Sequence, residues 1–365
     1  MKDDITHMKD DIRSATRSYE RWLATQVRIV RDDLRRKHER MCESPFVFLR
    51  GTFYRWSQLW KAHAIAGPRV LAVGDLHVEN FGTWRDAEGR LIWGVNDVDE
   101  ACELPYTHDL VRLATSACLA VHEGHFALTN RAVCEAILDG YTASIDRGGR
   151  PIVLAERRRW LRKVALSELR DPTVFWEKLR QLPLAGGAVP NDVLRSHLPR
   201  GSDPALIHRR VAGVGSLGRP RFVAIAEWAG GFVAREAKAW APSAAVWAGV
   251  TSRADVAEAL LARSVRAADP CFSIRKPWIV RRLAPDCSRI EMSDLPKTRD
   301  ERRLLRAMGW ETANMHAGSA RLSAVARDLA ARKTRWLLDA ARGMADRTVQ
   351  DWRDWRRARP SSSPH

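Results

Sequence analysis

Asp75, Asn80, Asp97 and Asp99 are the residues whose types and spacing could do chemistry. The loop GDLHVENFG follows a short apolar run, and in it a carboxylate is followed five residues later by an asparagine. Such a pair can offer one oxygen to a nucleophile and an amide oxygen to a metal ion. Phosphoryl transfer needs this, because Mg²⁺ and positioned charge, rather than covalent chemistry, stabilise its transition state. Asp97 ends the next apolar run, and Asp99 shares its face by the two-residue period of extended chain. With Asn80 these two acids form an all-oxygen ligand set, which suits Mg²⁺ better than Zn²⁺. His77 is the competing clue, but His108 and His122 give it no zinc-ligand spacing. Taken singly, each acid reads as a turn or helix cap. Taken together with Asp109, which opens a helix, they read as a site.

These residues need elements to hold them. Val70–Val73 and Leu91–Val95 read as short strands flanking the loop, and Asp109 to about Tyr141 reads as helix. Upstream, Ile12, Tyr19, Trp22, Leu23, Val27, Val30 and Leu34 recur at helical spacing, which predicts one amphipathic helix over 10–41. Glu156–Leu169 reads as basic helix, and Gly and Pro punctuate 184–204. Strand-rich sequence begins at Val211, a helix is expected over Ala254–Ala268, and Trp278–Leu283 reads as a further strand. Helical, arginine-rich sequence runs from Arg299 to Trp355. The expected division is an N-terminal helix (1–40), a helical part with the catalytic loop and metal ligands (41–205), a glycine-loop β part (206–298), C-terminal helices (299–358) and a flexible tail (359–365). MKDDI occurs at Met1 and again at Met8, so the true start is open between them.

Composition sets outer bounds. With 365 residues, 45% hydrophobic and 29% charged, the chain can bury real cores, which excludes wholesale disorder. Its net charge of +17 attracts polyanions without choosing among them. Six cysteines form no CxxC pair and read as reduced core thiols. No run is apolar enough for a membrane span, and the N-terminus has no apolar leader core, so no membrane partner and a cytoplasmic location are expected.

GDLHVEN resembles the catalytic loop of aminoglycoside and choline phosphotransferases in the protein-kinase-like superfamily. The wider set SPFVFLRGT, GDLHVENFG, NDVDEA and HDLVRLATS is similar to a bacterial family known as domain of unknown function 2252. The resemblance implies Asp75 as catalytic base, Asn80 and Asp97 as metal ligands, and Asp109 as the buried helix aspartate that holds the loop. It also implies ATP and Mg²⁺ as cofactors, and it leaves His77 a supporting role. Two departures stand out: Val73 replaces the histidine usual before Gly-Asp in the aminoglycoside enzymes, and NDVD replaces Asp-Phe-Gly.

Gly213, Gly215 and Gly218 form GxGxxG, with Ser216 inside it. In a dinucleotide fold the third glycine opens a helix. Here a β-compatible stretch and an Ala229-Gly230-Gly231 turn follow instead, which fits a hairpin lid over phosphates. Lys238 lies about 20 residues past the last glycine, where a kinase-like fold puts its phosphate-pairing cation. Arg235 is its rival, and Glu258 in the next helix is its candidate partner. Trp278–Leu283 would then resemble the strand leading into the adenine-binding hinge. Kinases present glycine loop, lysine, hinge and then catalytic loop, whereas this chain presents the catalytic loop first. The expected fold is therefore α+β, a kinase-like two-lobe fold, circularly permuted, with helical N- and C-terminal regions.

The expected function is ATP- and Mg²⁺-dependent phosphotransfer to an unidentified small-molecule or protein acceptor. Nucleotidyl transfer uses the same parts and is not separated from it by sequence. A basic nucleic-acid-binding protein is the alternative from another class, because Arg302, Arg303, Arg306, Arg332, Lys333, Arg335, Arg356 and Arg357 lie among Trp336, Trp352 and Trp355. A solvated helical face with core tryptophans is favoured over it.

Overall fold

A computed structural model describes residues 11–154, 158–165, 171–253, 255–287, 300–319 and 321–357. The repeated MKDDI start and the 359–365 tail lie outside the described residues, as do 288–299 and part of the basic helix expected over Glu156–Leu169. The fold is mixed α+β with small antiparallel sheets.

The chain opens with α1 (Ile12–Gln26) and α2 (Arg31–Arg40), then α3 (Pro45–Gly51) and α4 (Phe53–His63). Strands β1 (Arg69–Ala72), β2 (Phe81–Arg85), β3 (Leu91–Val95) and β4 (Cys102–Pro105) follow, and then α5 (Tyr106–His122) and α6 (Asn130–Asp146). After β5 (Ile152–Val153) come α7 (Arg159–Ala165), α8 (Pro172–Arg180) and α9 (Asn191–Ser196). The next block is β6 (Leu206–Arg209), β7 (Arg221–Trp228), β8 (Gly231–Ala239), α10 (Ala244–Trp247), α11 (Ala257–Arg263), β9 (Ser273–Arg275) and β10 (Trp278–Leu283). Helices α12 (Glu301–His316), α13 (Leu322–Ala330) and α14 (Trp336–Arg357) close the chain.

The helix expected over 10–41 is two helices. Asp11 caps α1 by accepting from Arg13 N and Ser14 N, both at 2.8 Å. The break at 27–30 holds β-branched Val27, Ile29 and Val30, which are poor at continuing a helix. Val30 N instead donates to Gly218 O at 2.8 Å, so the break straps the chain across the glycine turn. Helix likewise does not run unbroken from Asp109 to Tyr141, since α5 and α6 are separate and Thr129 caps the second. The helix expected over Ala254–Ala268 is only Ala257–Arg263.

Five strands form one sheet in the order β6-β7-β8-β10-β9. Its two faces follow the two-residue period. Phe222, Ala224, Ala237 and Val280 pack against Leu194 of α9, while Val223, Ile225, Ala234 and Leu283 pack against Leu179 of α8. The stretch 171–205, expected with the helical part, thus covers the sheet. The C-terminal helices are no separate unit either: α12 packs on α6, α14 packs on α5, and all four share the main core. Trp355 is buried and donates to His38 O at 3.2 Å, and the half-buried Trp352 donates to Cys42 O at 3.3 Å, so both indoles anchor the helix. None of the six cysteines is in a disulfide. Among the described residues no helix is long and apolar enough to cross a membrane.

Candidate active site

The loop after β1 is held from below by α5. Asp109, in the first turn of that helix, accepts from Val73 N at 2.7 Å and Gly74 N at 3.0 Å. His108 and His316 contact the same carboxylate at 3.2 and 3.1 Å. Burial works to raise its pKa, but the hydrogen bonds from the two histidines outweigh it and hold Asp109 below the ordinary carboxylate range. Gly74 has φ of 80°, and a Cβ there would lie 2.3 Å from Glu100 O, so the turn that presents Asp75 admits only glycine.

Asp75 Oδ1 accepts from Arg112 Nε at 2.8 Å and also from Nη2. Arg112 is fully buried, donates to Leu49 O at 3.1 Å and lies 4.9 Å from the Phe53 and Trp56 ring centres. Burial pushes the Asp75 pKa up. Arg112 opposes this, while the charges of Asp99 and Asp97 add to it, and the net shift is upward.

Asn80 ties the loop to the next one. Its amide nitrogen donates to Asp75 O at 3.0 Å and Asp97 O at 2.9 Å, and its oxygen accepts from Asp97 N at 2.9 Å. The oxygen expected at a metal therefore already holds one backbone N–H and keeps one further acceptor position. Lys238 Nζ, on β8, sits 2.9 Å from Asp97 and 3.0 Å from Asp99. Arg219 also pairs with Asp99. Burial would raise the Asp99 pKa, but Lys238 and Arg219 hold it well below the usual value. In Glu100 next to it, burial and the Asp99 charge outweigh the pull of Arg219 and push the pKa up to about 8.

The glycine turn closes the cleft. Gly213, with φ of 75°, leads into a short 3-10 turn over Val214–Ser216. Gly215 lies so near the Asp75 loop that a Cβ would be 3.1 Å from Arg50 O and 3.7 Å from Asp75 Oδ2. Lys37, on α2, donates to Gly215 O at 3.1 Å from beside the stacked Tyr19 and Tyr54 rings, and burial lowers its pKa to about 8. Ser216 Oγ accepts from Arg221 Nη2 at 2.7 Å. In the sheet, Arg221 pairs in register with Lys238, and Arg281 with Glu236. Glu236 is buried and is gripped by Arg221 at 2.9 Å, Arg281 at 2.8 Å and Arg210. Burial would raise its pKa, yet these three guanidiniums hold it well below the usual value.

The result is a cavity of about 340 Å³ lined by Asp75, His77, Asn80, Asp97, Asp99, Gly213, Gly215 and Ser216 together with Arg219, Arg221, Arg281 and Glu100. Lys238 stands at its edge, joined to Asp97 and Asp99. Two expected residues fall elsewhere. Gly218 turns away, with φ of 101° and its open side against Leu34. Glu258 does not pair with Lys238, whose acidic partners are Asp97 and Asp99; it lines a second, more apolar cavity of about 440 Å³ with Asn96, Val98 and Phe272. Arg281 and Cys287 line both cavities, so the two adjoin. Arg235, the rival to Lys238, faces the other way and donates to His197 O at 2.8 Å. Sequence reasoning missed Arg112, Arg219, Arg221, Glu236 and Arg281. The alternation Arg221, Val223, Ile225 and Glu236, Lys238 was the available signal: one sheet face that is charged at one end and apolar at the other.

Residues 28–174 match the sequence model of a family described as an uncharacterized protein conserved in bacteria (DUF2252). The match covers Asp75, Asn80, Asp97, Asp99 and Asp109 and ends before the glycine turn. Neither the curated proteins nor the solved structures give a match.

Proposed function

We propose that the protein is an ATP- and Mg²⁺-dependent phosphotransferase that uses Asp75 as the base for an acceptor hydroxyl. The observation that carries this reading is the meeting in one cleft of a carboxylate of raised basicity (Asp75), an acidic pair bridged by a lysine (Asp97, Asp99, Lys238) and a glycine turn. Arg112 occupies Asp75 Oδ1, which leaves Oδ2 to take the proton from the acceptor. Lys238, released from one carboxylate, would pair with nucleotide phosphate, and the backbone of Gly213–Ser216 would cover it. The donor set fits Mg²⁺: the Lys238 ammonium already stands as a positive charge between two carboxylates, and Asp97 is 37% exposed to the cleft. Asp97 and the free acceptor position of Asn80 would hold the ion, which supplies charge neutralisation at the transferring phosphoryl group.

The order of parts on the five-stranded sheet supports a kinase-like, circularly permuted two-lobe fold. Glycine turn, Lys238 and β10 follow one another, and the chain then leans on β2 through Arg85 to Asp286 at 2.6 Å and Thr83 Oγ1 to Asp286 O at 2.6 Å, as a hinge would. The apolar cavity beside this hinge suits a nucleobase. Asn96 Nδ2 lines it, buried and with no hydrogen-bond partner among the described residues, a donor ready for a ring nitrogen.

Incubation with ATP labelled at the γ- or α-phosphate and a pool of small metabolites and proteins tests the reading. Transfer of the γ-label by the wild type and its loss in Asp75→Asn is expected. Transfer of the α-label instead would make the protein a nucleotidyltransferase, and no transfer from either position would remove the catalytic reading.

A further inference from the structure

On the far side of the β2–β3 hairpin lies a third concavity, of about 680 Å³, to which the proposed catalysis gives no role. Arg90, Arg147, Arg150, Arg158, Arg303 and Arg306 line it. Arg90 pairs with Asp86 at 2.7 Å and Arg303 with Asp300 at 3.2 Å. Among the described residues the other four form no ion pair, and no acidic side chain lines the cavity. Glu311, the carboxylate beneath, is turned into the core, where it accepts from Val95 N at 3.3 Å and Asn314 Nδ2 at 2.9 Å.

Like charges gathered around a concavity repel one another, and the low-dielectric wall behind them strengthens their field. A solvated arginine spreads away from its neighbours. Here the backbone of Arg150 is fixed from behind, and two of the other guanidiniums share one ring. Arg150 O accepts from Trp310 Nε1 and Asn314 Nδ2, both at 2.9 Å, and Arg150 N donates to Asn314 Oδ1 at 3.1 Å. Arg147 and Arg158 lie 5.9 and 6.0 Å from the Trp310 ring centre, which holds both guanidiniums toward one spot. Arg158 has φ of 62°, a left-handed backbone at a non-glycine residue, and such strain persists where surrounding structure imposes it. Planar guanidiniums match phosphate oxygens in bidentate pairs, and several around one cavity match a ligand with more than one phosphate.

We propose that this arginine cavity binds a small anion carrying two or more linked phosphate groups. The site is separate from the cleft of Asp75: β3 runs between them, with Ile92 paired to Val153 at the arginine end and Asp97 just beyond its other end. It therefore takes a ligand other than the one undergoing chemistry.

Inorganic triphosphate is the probe, titrated calorimetrically into the full chain carrying Lys238→Ala, so that the catalytic cleft is weakened as a competing site. Arg147 and Arg306 are exposed, and Arg147→Ser/Arg306→Ser leaves the core untouched; a melting curve verifies folding. Binding in the Lys238→Ala background that the added double substitution weakens by about tenfold or more supports the proposal. Arg147→Lys/Arg306→Lys keeps the charge but not the fork and should recover only part of the affinity. Equal binding with and without the double substitution overturns the proposal, as does equal displacement by sulfate at matched ionic strength, which would mark a nonspecific charged surface. A single-stranded oligonucleotide whose affinity for the same arginines keeps rising with length would overturn the small-anion assignment in favour of nucleic acid.

Discussion

Arg112 holds one carboxylate oxygen of Asp75, and burial makes the carboxylate a better proton acceptor, as the proposed role of base requires. Asp75→Asn should lower phosphotransfer by about 10²- to 10⁴-fold while nucleotide binding persists, a split that single-turnover rates and nucleotide titration resolve. The rate should rise with pH as Asp75 ionises, with its midpoint above the ordinary carboxylate value. Arg112→Gln should move that midpoint higher, since the guanidinium favours the charged form. Glu100 gives a second pH effect, on stability. In the unfolded chain it ionises near 4.5, and in the folded chain near about 8, so between these values unfolding releases a proton. Stability from this group is present below that window and is lost as pH rises through it. Glu100→Gln should flatten the loss between those limits and leave the protein more stable in mild alkali by on the order of 1 kcal/mol or more, as denaturant melts at several pH values would measure. That the acids line one cavity could be anticipated from the sequence, because they fall in two loops that each follow a short apolar run. Arg112, Arg219 and Arg281 were not legible there, because any of 61 basic residues is ambiguous until a helix or strand register selects its neighbour.

Among the elements, the α1–α2 segment has the least expected role. Its break donates Val30 N to Gly218 O, Lys37 reaches Gly215 O, and Asp33 pairs with Arg209 at 2.6 Å, so three contacts fasten the glycine turn and the strand before it. Periodicity predicted an amphipathic helix here and could not see the break, since Val27 and Val30 keep the apolar spacing while ending the helix. Strand β2 was missed for a related reason: FGTWR begins within the GDLHVENFG motif and is buried on both faces, so it shows no alternation. Gly74→Ala tests the loop that these elements surround. Its Cβ would collide with Glu100 O in a backbone that disfavours side chains, so the substitution should destabilise by about 1–3 kcal/mol or more and depress activity further than stability alone explains. Thermal melts beside activity at a permissive temperature separate the two effects.

Across the whole molecule, the sheet is inserted between helices that share one core, with α5 and α6 before it and α12 and α14 after it. Lys238 therefore meets Asp97 and Asp99 from far away in sequence, and the cleft exists only when both parts are folded and docked. The mixed α+β class and the acidic loop were readable from patterns along the chain. The packing of 171–205 on the sheet was not, because apolar residues at helical spacing state that a face is buried but not against what. In the proposed function this cleft holds a nucleoside triphosphate with its metal on the Asp97 side. Thermal denaturation with ATP, with and without Mg²⁺, tests it without knowledge of the acceptor, since a ligand that binds only the folded state raises its stability. Stabilisation by ATP that Mg²⁺ increases, with the Mg²⁺-dependent part lost in Asp97→Asn, is the predicted result. No stabilisation by any nucleoside triphosphate, or a Mg²⁺-dependent shift unchanged in Asp97→Asn, would contradict it.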